Sequence, residues 1–197
     1  MMTKLTVTTA QQWLDGFAAA IAAHKDYLSE LDTPIGDGDH GSNMARGLTA
    51  VQAAIDGQDF AGLKDLFKAV AMALISKVGG ASGPLYGTAF LEMAKLGDQD
   101  ADLGHLLDAA LAGIRKRGGA APGDKTLVDV WTPVVEAVKA GSLTQTVVDD
   151  AVNSTKDMVA RKGRASYLGE RSVGHLDPGS VSSGYLFTAL IATGVFA

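Results

Sequence analysis

Phe60-Ala-Gly-Leu63-Lys-Asp-Leu-Phe67-Lys-Ala-Val70-Ala-Met-Ala-Leu74-Ile-Ser-Lys-Val78 returns an apolar side chain to one face every third or fourth residue. A half-buried strand would alternate at every second residue, so this stretch is a helix with one buried face. The same period recurs at Leu103, Leu106, Leu107, Leu111 and Ile114, and at Leu127, Val130, Trp131, Val134, Val135 and Val138. Leu143, Val147, Ala151, Val152 and Met158 carry it once more. Gln11 to Leu31, Gly41 to Ile55, Leu85 to Leu96 and Gly184 to Val195 also read as helices, which makes the expected count eight. Leu5 and Val7 alternate briefly, but no second strand follows them. The fold class is all-α. Mostly short loops predict antiparallel neighbours, an up-and-down arrangement, and the Ala-rich faces at Ala18 to Ala23 and Ala109 to Ala112 would let helices approach closely. With no repeat, low-complexity linker or composition shift, residues 1–197 are read as one domain.

Between the first two predicted helices lies Asp32-Thr-Pro-Ile-Gly-Asp37-Gly-Asp39-His-Gly-Ser-Asn43, with three aspartates in eight residues. Asp, Gly and Pro are common in turns, but a turn needs one Asp rather than three. Asp37 and Asp39 are two apart in an extended segment and can point the same way. Two carboxylates ~4 Å apart repel by up to ~4 kcal/mol at an effective dielectric near 20, so a cation between them is the economical arrangement. A calcium EF-hand fails on spacing: counting from Asp37, Gly41 and Leu48 stand where acidic or amide ligands are required. Zinc lacks cysteines, and His24, His40, His105 and His175 show no paired ligand spacing. Magnesium, which completes its shell with water and substrate phosphates, fits the donors. A phosphorylated ligand is the corollary.

Composition permits this. Of the residues 47% are hydrophobic and 20% charged, the net charge is −5, and no Lys/Arg run marks a nucleic-acid face. No charged n-region precedes an apolar core and no 18-residue apolar run occurs, so a cytoplasmic protein that is not membrane-bound is expected.

Four longer Gly-rich connections interrupt the helical pattern. The first holds the aspartates. The second is Gly79-Gly-Ala81-Ser82-Gly-Pro-Leu-Tyr-Gly87, where small residues and the amides opening the next helix suit phosphate, although a tight helix–helix turn explains the Gly pair equally well. The third, Gly118-Gly-Ala-Ala-Pro-Gly-Asp-Lys125-Thr126, resembles a Walker A loop, yet Asp124 stands where Lys must follow Gly123 and no strand precedes it. Lys125 is open between a phosphate ligand and a surface lysine paired with Asp124 or Asp129. The fourth runs from Lys162-Gly-Arg164 through Tyr167, Glu170, Arg171 and His175 to Asp177-Pro178-Gly179, too long and too cationic for a mere spacer. Arg171 could pair with Glu170 or face a partner. In an alternating bundle, the loops after the first, third, fifth and seventh helices share one end, so these four connections converge on one rim. The turns at Gly57-Gln58-Asp59, Gly97 to Ala101 and Gly141-Ser142 fall at the other.

Those four motifs in that order resemble the L subunit of dihydroxyacetone kinase across nearly the whole chain. The resemblance implies an eight-helix antiparallel up-and-down barrel with ADP or ATP at one rim. It implies that Asp32, Asp37 and Asp39 bind two Mg²⁺ bridging the phosphates, with Arg164 beside them in catalysis. His40, Gly41, Ser42, Asn43, Ala81, Ser82, Gly118, Leu127, Arg164, Asp177, Pro178 and Gly179 then bind the nucleotide, and His40 is read as a nucleotide contact rather than a base. No substrate-holding K domain is seen in the chain, which matches the bacterial type in which dihydroxyacetone sits on a separate K subunit. There ADP stays bound, is rephosphorylated by the phosphotransferase-system protein M, and passes its phosphoryl group to the substrate on K. Three readings compete: an ATP-exchanging kinase subunit, a Mg²⁺-dependent all-α hydrolase, and a non-enzymatic nucleotide-loaded partner of a transcription regulator.

Overall fold

The computed structural model describes residues 3–97 and 102–196. Among them are nine α-helices: α1 (Val7–Ala23), α2 (Lys25–Asp32), α3 (His40–Ile55), α4 (Leu63–Lys77), α5 (Ser82–Leu96), α6 (Leu103–Gly118), α7 (Val128–Ala140), α8 (Gln145–Ser154) and α9 (Pro178–Ala192). Short 3-10 segments span Thr155–Asp157 and Arg164–Ser172. The described residues contain no strand, only an isolated antiparallel bridge between Lys4 and Asp102. The chain is all-α, as its periodicity requires.

One expected helix is two. The Gln11–Leu31 stretch breaks at His24, whose backbone sits at φ −115° and ψ 18°. Its imidazole Nδ1 lies 2.9 Å from the Ala20 carbonyl that its own N–H also contacts, and its ring stacks on Tyr185 at 4.7 Å. A side chain competing for a helical carbonyl favours such a break. The helix read over Leu143–Met158 likewise ends early, at Ser154, and passes into a 3-10 turn. Val7, read as alternating, opens α1 instead, because the Thr6 hydroxyl accepts from Thr9 N–H at 3.1 Å and caps it. Of the turn expected at Gly97 to Ala101, residues 98–101 lie outside the described residues. No described helix is long and apolar enough to cross a membrane.

Each helix from α2 onward packs on its successor, and α9 returns to pack on α1. The buried faces meet in one core containing Trp13, Phe17, Phe67, Tyr86, Phe90, Trp131 and Phe187. Ring pairs bind it across elements: Trp13 on Phe90 at 6.0 Å, Phe67 on Phe90 at 5.8 Å, and Trp131 edge-on to Phe187 at 4.9 Å. Replacing any one of these by Ala would cost about 3–5 kcal/mol. Helix α9 differs from the other described α-helices in carrying serine hydroxyls at fully buried positions, Ser180, Ser182 and Ser183. Those hydroxyls need partners, and they find them beneath the site.

Candidate functional site

Asp32 ends α2, and its Oδ2 accepts from the backbone N–H of Asp39 at 3.0 Å and of His40 at 3.2 Å. It therefore caps α3 from the preceding helix and closes the loop between them. That closure gathers the aspartates: carboxylate oxygens of Asp32, Asp37 and Asp39 all lie within 4.8 Å of one another. Ile35, buried in the same loop, packs with Ala160, Ala165 and Leu168 in a small second cluster. This apolar contact brings the fourth connection over the first, and Arg164 Nη1 reaches Asp37 Oδ2 at 2.5 Å. The side chains are 65% and 34% exposed, so opening the pair costs under about 1 kcal/mol.

Between the connections lies a cavity of about 410 Å³ lined from all four. Asp32, Asp37, Asp39, His40 and Asn43 come from the first, Ala81 and Ser82 from the second, Gly118 and Leu127 from the third, and Arg164, Asp177, Pro178 and Gly179 from the fourth. The convergence expected from helix count is present. Gly41 and Ser42 are not on the wall. Gly41 is buried against α2, where an added Cβ would collide with the Lys25 carbonyl, and Ser42 points outward on α3. Arg117 and Lys162 also line the cavity. Arg117 was missed by sequence reasoning; its only signal is a basic last turn of α6 running into Gly118.

Lys125 lines the cavity, and its ammonium is held by backbone carbonyls rather than by Asp124 or Asp129. It is 1% exposed with φ +61°, and its Nζ donates to the carbonyls of Ser172 at 2.7 Å, Met158 at 3.1 Å and Lys156 at 3.4 Å. A buried ammonium shared by three carbonyls fastens the fourth connection to the third. Burial lowers its pKa, opposed by Asp177 and Asp157. Asp129 shapes the third connection by accepting from Gly123 N–H at 2.5 Å and Thr126 N–H at 2.7 Å. Asp177 caps α9, accepting from Ser180 N–H at 2.7 Å; burial raises its pKa to about 6, with Asp129 adding to the rise and Ser180 and Lys125 opposing it.

His40 is buried, with Nδ1 3.2 Å from Ser82 Oγ and Nε2 3.0 Å from Ser182 Oγ. Burial lowers its pKa more than Asp32 and Asp39 raise it. Both ring nitrogens lie within hydrogen-bond distance of a serine hydroxyl. The ring is a strut joining α3, α5 and α9. The aspartate trio is an all-oxygen donor set on a loop that Asp32 holds shut, and it fits a hard divalent cation better than zinc or copper.

The DAK2 domain family model matches residues 34–192. The chain is 53% identical over 190 residues to the ADP-binding subunit DhaL of PEP-dependent dihydroxyacetone kinase 1 of Listeria innocua, covering 94% of this chain and 96% of that one. It is 49% identical over 187 residues to the DhaL subunit of the PTS-dependent enzyme of Lactococcus lactis, with 95% and 97% covered. The corresponding Escherichia coli subunit is 38% identical over 202 aligned positions. Among solved structures, the dihydroxyacetone kinase from C. freundii in complex with AMP-PNP and Mg²⁺ superposes with a TM-score of 0.77 at 25% identity, over 98% of this chain and 35% of that one. On these matches the chain belongs to the DAK2 domain family.

Proposed function

We propose that this chain is the ADP-carrying subunit of a phosphoenolpyruvate-dependent dihydroxyacetone kinase, with residues 1–197 forming one nucleotide-binding unit. The observation that carries the reading is the single cavity lined from four connections, with the aspartate trio at one side and Arg164 beside it. The ring of helix neighbours, closed by α9 on α1, supports an eight-helix antiparallel barrel if α1 and α2 count as one bent stave. Near-complete coverage of free-standing ADP-binding subunits supports the phosphoenolpyruvate-linked type, with a K subunit holding dihydroxyacetone and an M subunit as phosphoryl donor.

Asp32, Asp37 and Asp39 would hold two Mg²⁺, which when bound neutralise phosphate charge and orient the transferred group. The Arg164 guanidinium leaves Asp37 at small cost and presents its planar fork to phosphate oxygens. Amides at the start of α5, beside Ala81 and Ser82, supply further donors to an anion. Ile114, Leu127 and Leu85 give the cavity an apolar side suited to a base, and Gly118, Asn43 and the Asp177-Pro178-Gly179 turn complete the wall. Gly41 and Ser42 contribute through the α2–α3 packing and the α3 N-terminus rather than by side-chain contact. No general base is required here, because the acceptor hydroxyl arrives on the partner.

The test is metal-dependent nucleotide retention. Purified protein should release ADP, identified by mass spectrometry, on addition of a chelator. Asp37→Ala should lose bound ADP and the thermal stabilisation that a native-state ligand confers, about 2.7 kcal/mol at a hundredfold excess over Kd. Unchanged ADP content in Asp37→Ala protein would reject the assignment.

A further inference from the structure

Asn43 and Arg46 lie three apart on one face of α3, but only Asn43 is on the cavity wall. Asn43 is buried, and its Oδ1 accepts from Arg46 Nη2 at 2.6 Å. An amide flip cannot reverse this bond: a guanidinium carries only donors, so the amide atom it meets is the oxygen. The same guanidinium reaches across to the end of α4, where its Nε donates to the Lys77 carbonyl at 2.9 Å. A planar fork fixed on two acceptors from two helices holds the amide where a single bond would let it swing. The Nδ2–H2 group then points away from Arg46, and it has no acceptor among the described residues. A Cβ on Gly80 would lie 4.0 Å from Nδ2, and one on Gly79 would fall 2.8 Å from Oδ1 and 3.0 Å from Nδ2. Both glycines line the cavity. The Gly79-Gly80 pair therefore has a reason beyond a tight turn: a side chain at position 79 would strike the amide.

We propose that Arg46 is a positioning residue that fixes the Asn43 amide with its Nδ2–H2 group toward the cavity, so that α3 offers a ligand a donor there and not an acceptor. The aspartates of the preceding loop, when ionised, offer only acceptors, which a cation must bridge to reach a phosphate. One helical turn on, the amide gives the ligand's oxygen atoms a direct N–H partner. This consequence for the ligand rests on the nucleotide reading; the orientation of the amide does not.

Nuclear Overhauser contacts of the Asn43 side-chain NH2, its signals assigned by their loss in Asn43→Ala, report the orientation with no ligand present. Wild-type protein should show contacts to the Gly80 α protons, and Arg46→Met should weaken them. An NH2 group on the Arg46 side, or contacts unchanged in Arg46→Met, overturns the proposal. Affinity for ADP with Mg²⁺ then separates positioning of the amide from plain support of α4. Arg46→Met should raise the Kd about three- to tenfold in otherwise wild-type protein and leave it unchanged in the Asn43→Ala background. An equal loss in both backgrounds would show that Arg46 acts through Lys77 alone, and overturns the proposal. Gly79→Ala presses on the amide from the opposite side, and its cost in Kd should likewise vanish in Asn43→Ala; a cost equal in both backgrounds overturns the placement of the amide. If Arg46→Met does not fold, Arg46→Lys, which keeps the charge but not the fork, takes its place with the same expected pattern. If Asn43→Ala binds too weakly to measure, the spectra decide. Wild-type protein that shows the Gly80 contacts, and loses them in Arg46→Met, but fails to bind ADP supports the positioning role and rejects the nucleotide reading.

Discussion

Asp177 caps α9 with a carboxylate that its surroundings disfavour as a charge. The acceptor role toward Ser180 N–H favours ionisation, whereas burial and the nearby Asp129 oppose it, and burial wins with a pKa of about 6. An acid whose folded pKa lies above its unfolded value binds more protons folded than unfolded between the two. It therefore removes stability as pH rises from about 4 to about 6, and its penalty is complete above that window. Asn keeps the capping oxygen without the charge. The stability of wild type relative to Asp177→Asn should fall by roughly 1–3 kcal/mol between pH 4 and pH 6 in parallel denaturant titrations. A difference that is flat with pH would show that Asp177 titrates normally. Lys125, on the same wall, illustrates what sequence spacing cannot convey. Its three carbonyl partners lie 31, 33 and 47 residues away, so nothing local distinguishes a buried clasp from a phosphate ligand.

At the scale of elements, α2 and α3 meet so closely that position 41 has no room for a side chain. A Cβ there would overlap the Lys25 carbonyl and press on Ser29 Oγ at 2.9 Å. Gly41→Ala should therefore push the helices apart and cost about 1–3 kcal/mol, or more if the backbone cannot yield. The same shift would move Asp32 off the α3 amides and spread the aspartates, so cation affinity should drop with stability in calorimetric titration. Full stability in Gly41→Ala would mean the α2–α3 contact is looser than drawn. The resemblance implies Gly41 at the nucleotide; the structure adds a packing reason for glycine at this position. Helix existence was legible because apolar periods of 3.6 survive any loop rearrangement, as at Phe60 to Val78. The break at His24 was not, since it depends on an imidazole turning back to Ala20 and stacking on Tyr185, far along the chain. Helices α5 and α9 begin earlier than apolar periodicity alone suggests, at Ser82 and Pro178, because their first turns are small or polar residues facing the cavity.

Across the whole molecule, a succession of neighbouring helices that closes on itself sends alternate connections to opposite ends, and this is why four motifs scattered over some 150 residues line one cavity. On the proposed barrel reading, in which α1 and α2 count as one bent helix, the shared rim was legible from helix count, because a bend within a helix leaves the parity of its ends unchanged. That architecture bears on whether ADP turns over in place or exchanges. The nucleotide would be gripped from several sides: cations on the aspartate loop, Arg164 from a connection pinned by Lys125 and by the Ile35 cluster, and the Asp177 turn at the head of α9. Release requires these separately anchored segments to open together, which is slow compared with a single mobile loop. Radiolabelled ADP loaded on the protein should consequently remain bound through many cycles when K, phosphorylated M and dihydroxyacetone are supplied. Free ATP without M should support little turnover with K. Loosening one grip by Arg164→Lys, which keeps charge but not the fork, should speed label loss while helical content by circular dichroism is unchanged. Rapid exchange of label in the unaltered protein, with sustained turnover on free ATP alone, would instead mark an ATP-exchanging kinase subunit whose cavity opens in every cycle.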